Sequence, residues 1–347
     1  MTGVYDALGP QGFGAYEVDW ESGSWTRVSR PPQGLLIPGF VDIHIHGAFG
    51  IDFMSATSEE MVLLCQKLQA QGYESFLPTT VTASSEAVLA AIGNLPSDPM
   101  ITGFHLEGPF ISSDYPGAQP PSAIVLPPIG ATNWDEVLDH PRLKLVTLAP
   151  EIPNALELIA RLSNRGVMVS MGHTNATYDE ARRGFEFGAN HATHMFNAMR
   201  PFHHREASVV GYALTNEAVY TELIYDRLHV SPQSVKLLLK SKPADKVVAV
   251  SDSTLATGMP PNLKLEMWGV QVVTAKGEVR LADSGALAGS AITLLDAFRN
   301  LYEDFGAETA IRACCINPRL SMGWSTTPRV FVEMDKDLQI IGRRVAA

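Results

Sequence analysis

The stretch PGFVDIHIHGAFG, Pro38 to Gly50, closes a short apolar run with two histidines two residues apart. Side chains at i and i+2 of a strand share a face, so His44 and His46 project together from one end of it. A glycine turn follows directly.

Outward from this stretch, short apolar runs alternate with helical patterns, as parallel β/α units do. The strand candidates are GFVDIHIH, SFLPTTVT, ITGFHLEG, LKLVTLAPE, VMVSMGH, NHATHMFNAM, TELIYD and KVVAVSDS. Helical patterns lie in SEEMVLLCQKLQAQG, with Ser58 as N-cap and Gly72 as stop, and in SEAVLAAIGNL, NWDEVLDH, NALELIARLSNRG, ATYDEARRGFEFG and SPQSVKLLLKS. Eight strands without a short repeat point to an α/β fold, a (β/α)8 barrel.

Function in such barrels collects at the C-terminal ends of the strands. Strand 1 ends in His44 and His46, strand 3 in Glu107, strand 5 in His173, strand 6 in His194 and strand 8 in Asp252. One H-x-H pair is a weak signal, but core histidines have no reason to gather with carboxylates at a single end. Imidazole nitrogens and carboxylate oxygens suit a borderline divalent metal, with a position left open for water. Asp252, at the end of the eighth strand, then reads as a catalytic carboxylate. By composition alone, SDSTLATG also suits a capping carboxylate.

The 347 residues carry a net charge of −11, with 46% hydrophobic and 18% charged residues. That is material for a large core, and it argues against nucleic-acid or anionic-membrane surfaces, which clustered Lys and Arg usually meet. The N-terminus has no basic-then-apolar leader, and no apolar run approaches a membrane span, so a soluble, cytoplasmic protein is expected. Cys65, Cys314 and Cys315 have no paired spacing and are expected to be reduced thiols.

The segments PGFVDIHIHG, HLEGPF, TLAPE, MGHTNATYDEA, HATHMFNAM, FHHRE with VVG, and LAGSAITL run in order from about Gly34 to Gly323. Together they resemble the signatures of N-acetylglucosamine-6-phosphate deacetylases of the amidohydrolase superfamily. The resemblance implies a metal-dependent barrel over residues 37–325. It also implies a small β-sandwich from residues 1–36 and 326–347, with part of 265–285 as a further contributor. Because the segment before Pro38 is short and the closing strands match loosely, a reduced or unusual sandwich is expected.

It further implies deacetylation of N-acetylglucosamine 6-phosphate in amino sugar catabolism, by a homodimer. Glu107, His173 and His194 would hold the principal metal, and His44 and His46 match members with a second. Zinc is the expected ion, with iron, manganese or cobalt as alternatives, one or two per subunit. Asp252 matches the catalytic aspartate, and His191 matches a histidine one layer behind the ligands. Arg205 and His229 match residues that bind the sugar phosphate, the arginine from across the dimer interface, and Asn197 with Ala198 match further phosphate contacts. Taken alone, Arg205 reads as a surface salt-bridge residue, and only the resemblance points it to phosphate.

The chain departs from the pattern at Gln119. The family has histidine there, touching the substrate near its hydroxyls or acetyl group, and glutamine keeps a hydrogen bond but no cation. Other readings are a deacetylase of a related N-acyl amino sugar, a cyclic amidohydrolase, or a non-catalytic metal-binding barrel. Cyclic amidohydrolases typically carry a metal-bridging lysine on strand 4, whereas here the only lysine of that strand, Lys144, stands at its start.

Overall fold

The computed structural model describes residues 2–346, so the expected domain bounds at Met1 and Ala347 lie outside the described residues. Each apolar run forms a strand: β1 (Phe40–Ile45), β2 (Tyr73–Pro78), β3 (Phe104–Glu107), β4 (Leu143–Leu148), β5 (Met168–Met171), β6 (His191–Ala192), β7 (Tyr220–Ile224) and β8 (Val247–Val250). Strands β3 to β8 pair in sequence order as a six-stranded parallel half-barrel, and β1 pairs with β2. Parallel bridges from Phe76 to Ile101 and from Thr79 to His105 join β2 towards β3. At the other edge, Asp252 N, just past β8, donates to His44 O at 2.9 Å.

Strands buried on both faces explain the near-continuous apolar runs. Val41, Ile43, Leu77, Leu145, Ile224, Val248 and Val250 form one cluster among the strands. Residues of opposite parity, such as Phe104, Leu106, Val146 and Leu223, join the larger core that the helices cover. The β1–β2 register shifts between Asp42 and Ile45. An irregularity of this kind re-aims side chains, which lets His44 and His46 share a side with Val41 and Ile43 despite opposite parity.

The first helix, Ser58–Ala70, buries Met61, Leu64, Cys65 and Leu68 at helical spacing. Its cap is Thr57, one residue before the expected Ser58. Thr57 and Glu60 form a reciprocal capping box, while Ser58 Oγ donates to Asn94 O at 2.9 Å. Among the helices absent from the sequence reading, Ser208–Thr215 and Leu294–Phe305 follow β6 and β8. NWDEVLDH forms only the single turn Asp135–Leu138. No helix among the described residues is long and apolar enough to cross a membrane.

Strands Thr2–Gly9, Gly12–Asp19, Ser24–Arg27, Leu35–Pro38, Val330–Met334 and Ile340–Val345 form one six-stranded sheet. Strands Lys264–Met267, Val270–Ala275 and Glu278–Leu281 pair with one another in a separate three-stranded sheet. Met267, Val272 and Val279 pack there with Ala256 and Ala288, so this hairpin sheet belongs beside the end of β8 rather than with the chain termini.

Candidate active site

The six polar residues expected at the strand ends meet. Glu107 is the hub: its Oε1 lies 3.3 Å from His44 Nε2, 3.2 Å from His173 Nε2 and 3.3 Å from His194 Nε2, and its Oε2 lies 3.3 Å from His46 Nε2. Asp252 Oδ1 lies 3.2 Å from His46 Nε2 and 3.5 Å from His44 Nε2. All six side chains are buried. They form two groups with metal-ligand spacing, His44 with His46 and Asp252, and Glu107 with His173 and His194.

Local backbone sets these directions. His173, His194 and Asp252 leave their strands with φ of 47°, 28° and 47°, in the left-handed region that non-glycine residues rarely enter. Strain of this kind persists where surrounding structure over-determines it, and it collects at functional sites. Gly289, from LAGS, also has positive φ, 61°, and a Cβ there would stand 3.1 Å from Asp252 O and 2.6 Å from Thr254 Cγ2. Only glycine lets that loop press against Asp252.

Whether these residues fit a metal can be read from the far side of each ring. His46 Nδ1 meets Thr79 O at 3.1 Å, His173 Nδ1 meets Tyr115 O at 3.1 Å, and His194 Nδ1 meets Asn197 O at 3.2 Å. A carbonyl can only accept, so each Nδ1 carries the proton and each Nε2 of the neutral ring presents a lone pair. Yet His173 Nε2 and His194 Nε2 stand 3.1 Å apart. Two lone pairs at that distance, beside a carboxylate, repel unless a cation or a proton lies between them. His44 Nε2 is buried with no hydrogen-bond partner. The donor set therefore fits a divalent cation.

The charges agree. Burial disfavours an ionised Glu107, but His44 and His173 outweigh it and hold the carboxyl well below its usual range. Burial likewise lowers the pKa of His46, but Asp252 and Glu107 outweigh it and push it up to about 9. The carboxylates attract positive charge, whether proton or metal ion.

A cavity of about 170 Å3 opens on this cluster, lined also by Gln119, Asn197, Ala198, His229 and Trp268. Expected substrate contacts His229, Asn197, Ala198 and Gln119 therefore reach it. Burial lowers the pKa of His229, but Asp226, whose Oδ2 lies 2.6 Å from His229 Nδ1, raises it above the ordinary value. Gln119 is not free to contact a ligand with its whole amide: Nε2 donates to Glu107 Oε2 at 2.6 Å and Oε1 accepts from Thr82 N at 2.7 Å. Arg205 stands outside the cavity of its own chain. It is exposed on the His203–Glu206 turn, its Nη1 2.9 Å from His204 Nε2. His191 is buried and stacked on Tyr220, its Nδ1 2.8 Å from Asn190 Oδ1. Lys144 turns away, donating to Pro141 O at 3.0 Å, so it bridges no metals.

The sequence reading missed several neighbours of the cluster, Trp268 and Glu222 among them. Trp268 reaches it from the hairpin sheet, its ring 5.0 Å from that of His46 and its Nε1 donating to buried Asp52 Oδ2 at 2.9 Å. Glu222 lies behind His44, its Oε2 3.1 Å from His44 Nδ1. An acid inside the apolar run TELIYD was the available signal for Glu222; Trp268 gave none, because only folding brings it there.

Residues 35–330 match the model of the amidohydrolase family, and the chain belongs to that family. Within it, the chain belongs with the N-acetylglucosamine-6-phosphate deacetylases. It is 37% identical over 275 residues to that enzyme of Lysinibacillus sphaericus, spanning 77% of this chain and 70% of the relative. It is 33% identical over 305 residues to the N-acetylgalactosamine-6-phosphate deacetylase of Escherichia coli O157:H7, spanning 85% and 80%. Among solved structures, the Mycobacterium smegmatis N-acetyl-D-glucosamine-6-phosphate deacetylase, an Asp-to-Ala variant in complex with N-acetyl-D-glucosamine-6-phosphate, matches with a TM-score of 0.90. That match has 29% identity and covers 100% of this chain and 98% of the other.

Proposed function

We propose that this chain hydrolyses the acetamide of N-acetylglucosamine 6-phosphate to glucosamine 6-phosphate and acetate, in amino sugar catabolism. The carrying observation is the convergence of four imidazoles and two carboxylates, with lone pairs turned inward, beside a small cavity. Glu107, His173 and His194 would hold a principal divalent cation, and His44, His46 and Asp252 a second. Zinc is the leading ion, with iron, manganese or cobalt compatible with the same donors. When bound, such a cation supplies Lewis acidity that polarises the amide carbonyl and acidifies water.

The chain's own residues do the rest. Asp252 takes the proton from attacking water as the new C–O bond forms, then passes it to the amide nitrogen as the C–N bond breaks. Its backbone N–H, bonded to His44 O, and the close approach of Gly289 fix its direction. At the phosphate end, Asn197, Ala198 and His229 bind the anion, and Asp226 favours the cationic form of His229. No Lys or Arg lines the cavity among the described residues. We therefore assign a homodimer in which Arg205 of one copy completes the phosphate site of the other.

The catalytic unit is a (β/α)8 barrel that runs to residue 325, and residues 2–38 and 326–346 form a small β domain, its strand Leu35–Pro38 carrying the boundary two residues past the expected 36. Three free, buried cysteines suit a cytoplasmic setting.

The test is acetate release by metal-loaded protein from N-acetylglucosamine 6-phosphate, its galacto epimer and unphosphorylated N-acetylglucosamine. The expected result is turnover of the phosphorylated gluco sugar foremost, with Asp252→Asn slowed about 10²- to 10⁴-fold. Preference for the galacto epimer would move the substrate assignment. No release with metal bound would sink it.

A further inference from the structure

We infer that Glu222 is a positioning residue that turns the His44, His46 and Asp252 group into a built cation site; the inference rests on the metal reading above. Glu222 is fully buried on β7. It has the parity of Ile224, which packs with Val41, Ile43 and Val248 in the cluster among the strands, so the strand's own period aims the acid inward.

Its contacts link both ligand groups. Oε2 lies 3.1 Å from His44 Nδ1 and 3.4 Å from the backbone N of His194. An ionised carboxylate can only accept, so it holds the His44 proton on Nδ1 and turns the Nε2 lone pair towards Asp252 and Glu107. That nitrogen is buried with no hydrogen-bond partner, and so is Glu222 Oε1. An imidazole lone pair facing two carboxylates, backed by a third, is an arrangement that a cation at Nε2 converts from repulsion to attraction.

Two comparisons within the site sharpen this. The other three ligand histidines rest their Nδ1 on backbone carbonyls, of Thr79, Tyr115 and Asn197, whereas His44 depends on a side chain. And among the described residues no Lys or Arg pairs with Glu107, Glu222 or Asp252. Against three buried carboxylates one dication leaves a deficit of positive charge, and a second removes it.

The experiment counts zinc per chain by mass spectrometry during graded chelator competition, for wild type, Glu222→Gln and Glu222→Asp, with circular dichroism on each. Wild type is expected to hold two ions. Glu222→Gln keeps the shape but should bind one ion roughly 10- to 100-fold more weakly while holding the other as wild type does. Glu222→Asp, with the charge retained, should recover part of that loss. Unchanged affinity for both ions in Glu222→Gln would overturn the inference, and so would parallel loss of both with an altered dichroism spectrum, which marks a merely structural role. A wild type that holds one ion would overturn both this inference and the second-cation part of the reading. Acetate release would be decided separately, by its own assay.

Discussion

Both ends of the Gln119 amide are engaged, one on Glu107 and one on the backbone of Thr82. Histidine cannot make this pair of contacts with the same geometry, because glutamine offers a donor and an acceptor on one carbon. Gln119 is thus first a holder of the hub carboxylate, whatever it also shows the substrate. Gln119→Ala is expected to weaken retention of the ion on Glu107 and to lower kcat by roughly 10- to 100-fold, the usual range for a residue that orients a ligand. Metal titration and steady-state kinetics check it; a rise in KM alone, with metal retained, would return Gln119 to plain substrate contact. At this scale the six clustered residues were legible because each ends a recognisable strand. The geometry of Gln119 was not, since its partner Thr82 is 37 residues away in sequence.

Among the elements, β2 carries an acid at an unusual place. Glu74 is buried, and it accepts from Arg329 N at 2.9 Å, Val330 N at 3.0 Å and Arg319 Nη2 at 2.9 Å. One carboxylate thus ties the terminal sheet, through Val330–Met334, to the strand ring and to the helix Asn317–Ser321. Removing one partner of a buried pair leaves the other charge stranded, at about 3–5 kcal/mol. Glu74→Ala is expected to lose that much in denaturant unfolding. Replacing Glu74 and Arg319 together with leucine should cost less than that single change; an equal or larger cost would mean that the backbone contacts, not the ion pair, carry the stability. The eight strands were legible because doubly buried strands read as near-continuous apolar runs. The helix Ser208–Thr215 was not: SVVGYALT is buried along most of its length, so it lacks the polar face that gives a helical period. Thr57 was overlooked as a cap because neighbouring Ser58 is an equally good capping type, and only the contact to Glu60 decides between them.

For the whole molecule, the question is what neutralises a phosphate in a cavity whose lining holds no Lys or Arg among the described residues. Arg205 is exposed and, among the described residues, its guanidinium pairs with no carboxylate and is hydrogen-bonded to its neighbour His204. An isolated exposed guanidinium on a surface turn fits phosphate well, because its planar fork makes two parallel charge-assisted bonds. If it serves the partner's cavity, the two defects of Arg205→Ala and Asp252→Asn fall in the same site of a mixed dimer, the one built on the Asp252→Asn chain, and leave the other site intact. The site built on the Arg205→Ala chain keeps its own Asp252 and receives Arg205 from the Asp252→Asn chain. Co-refolding the two inactive proteins in equal amounts should therefore restore about a quarter of wild-type activity, since half the dimers are mixed and each has one complete site. Arginine acting within its own chain predicts no recovery, because every site would then lack one group or the other. Sedimentation of the mixture, run beside the assay, separates that outcome from a failure to exchange subunits, and a protein that sediments as a monomer would remove the shared site altogether.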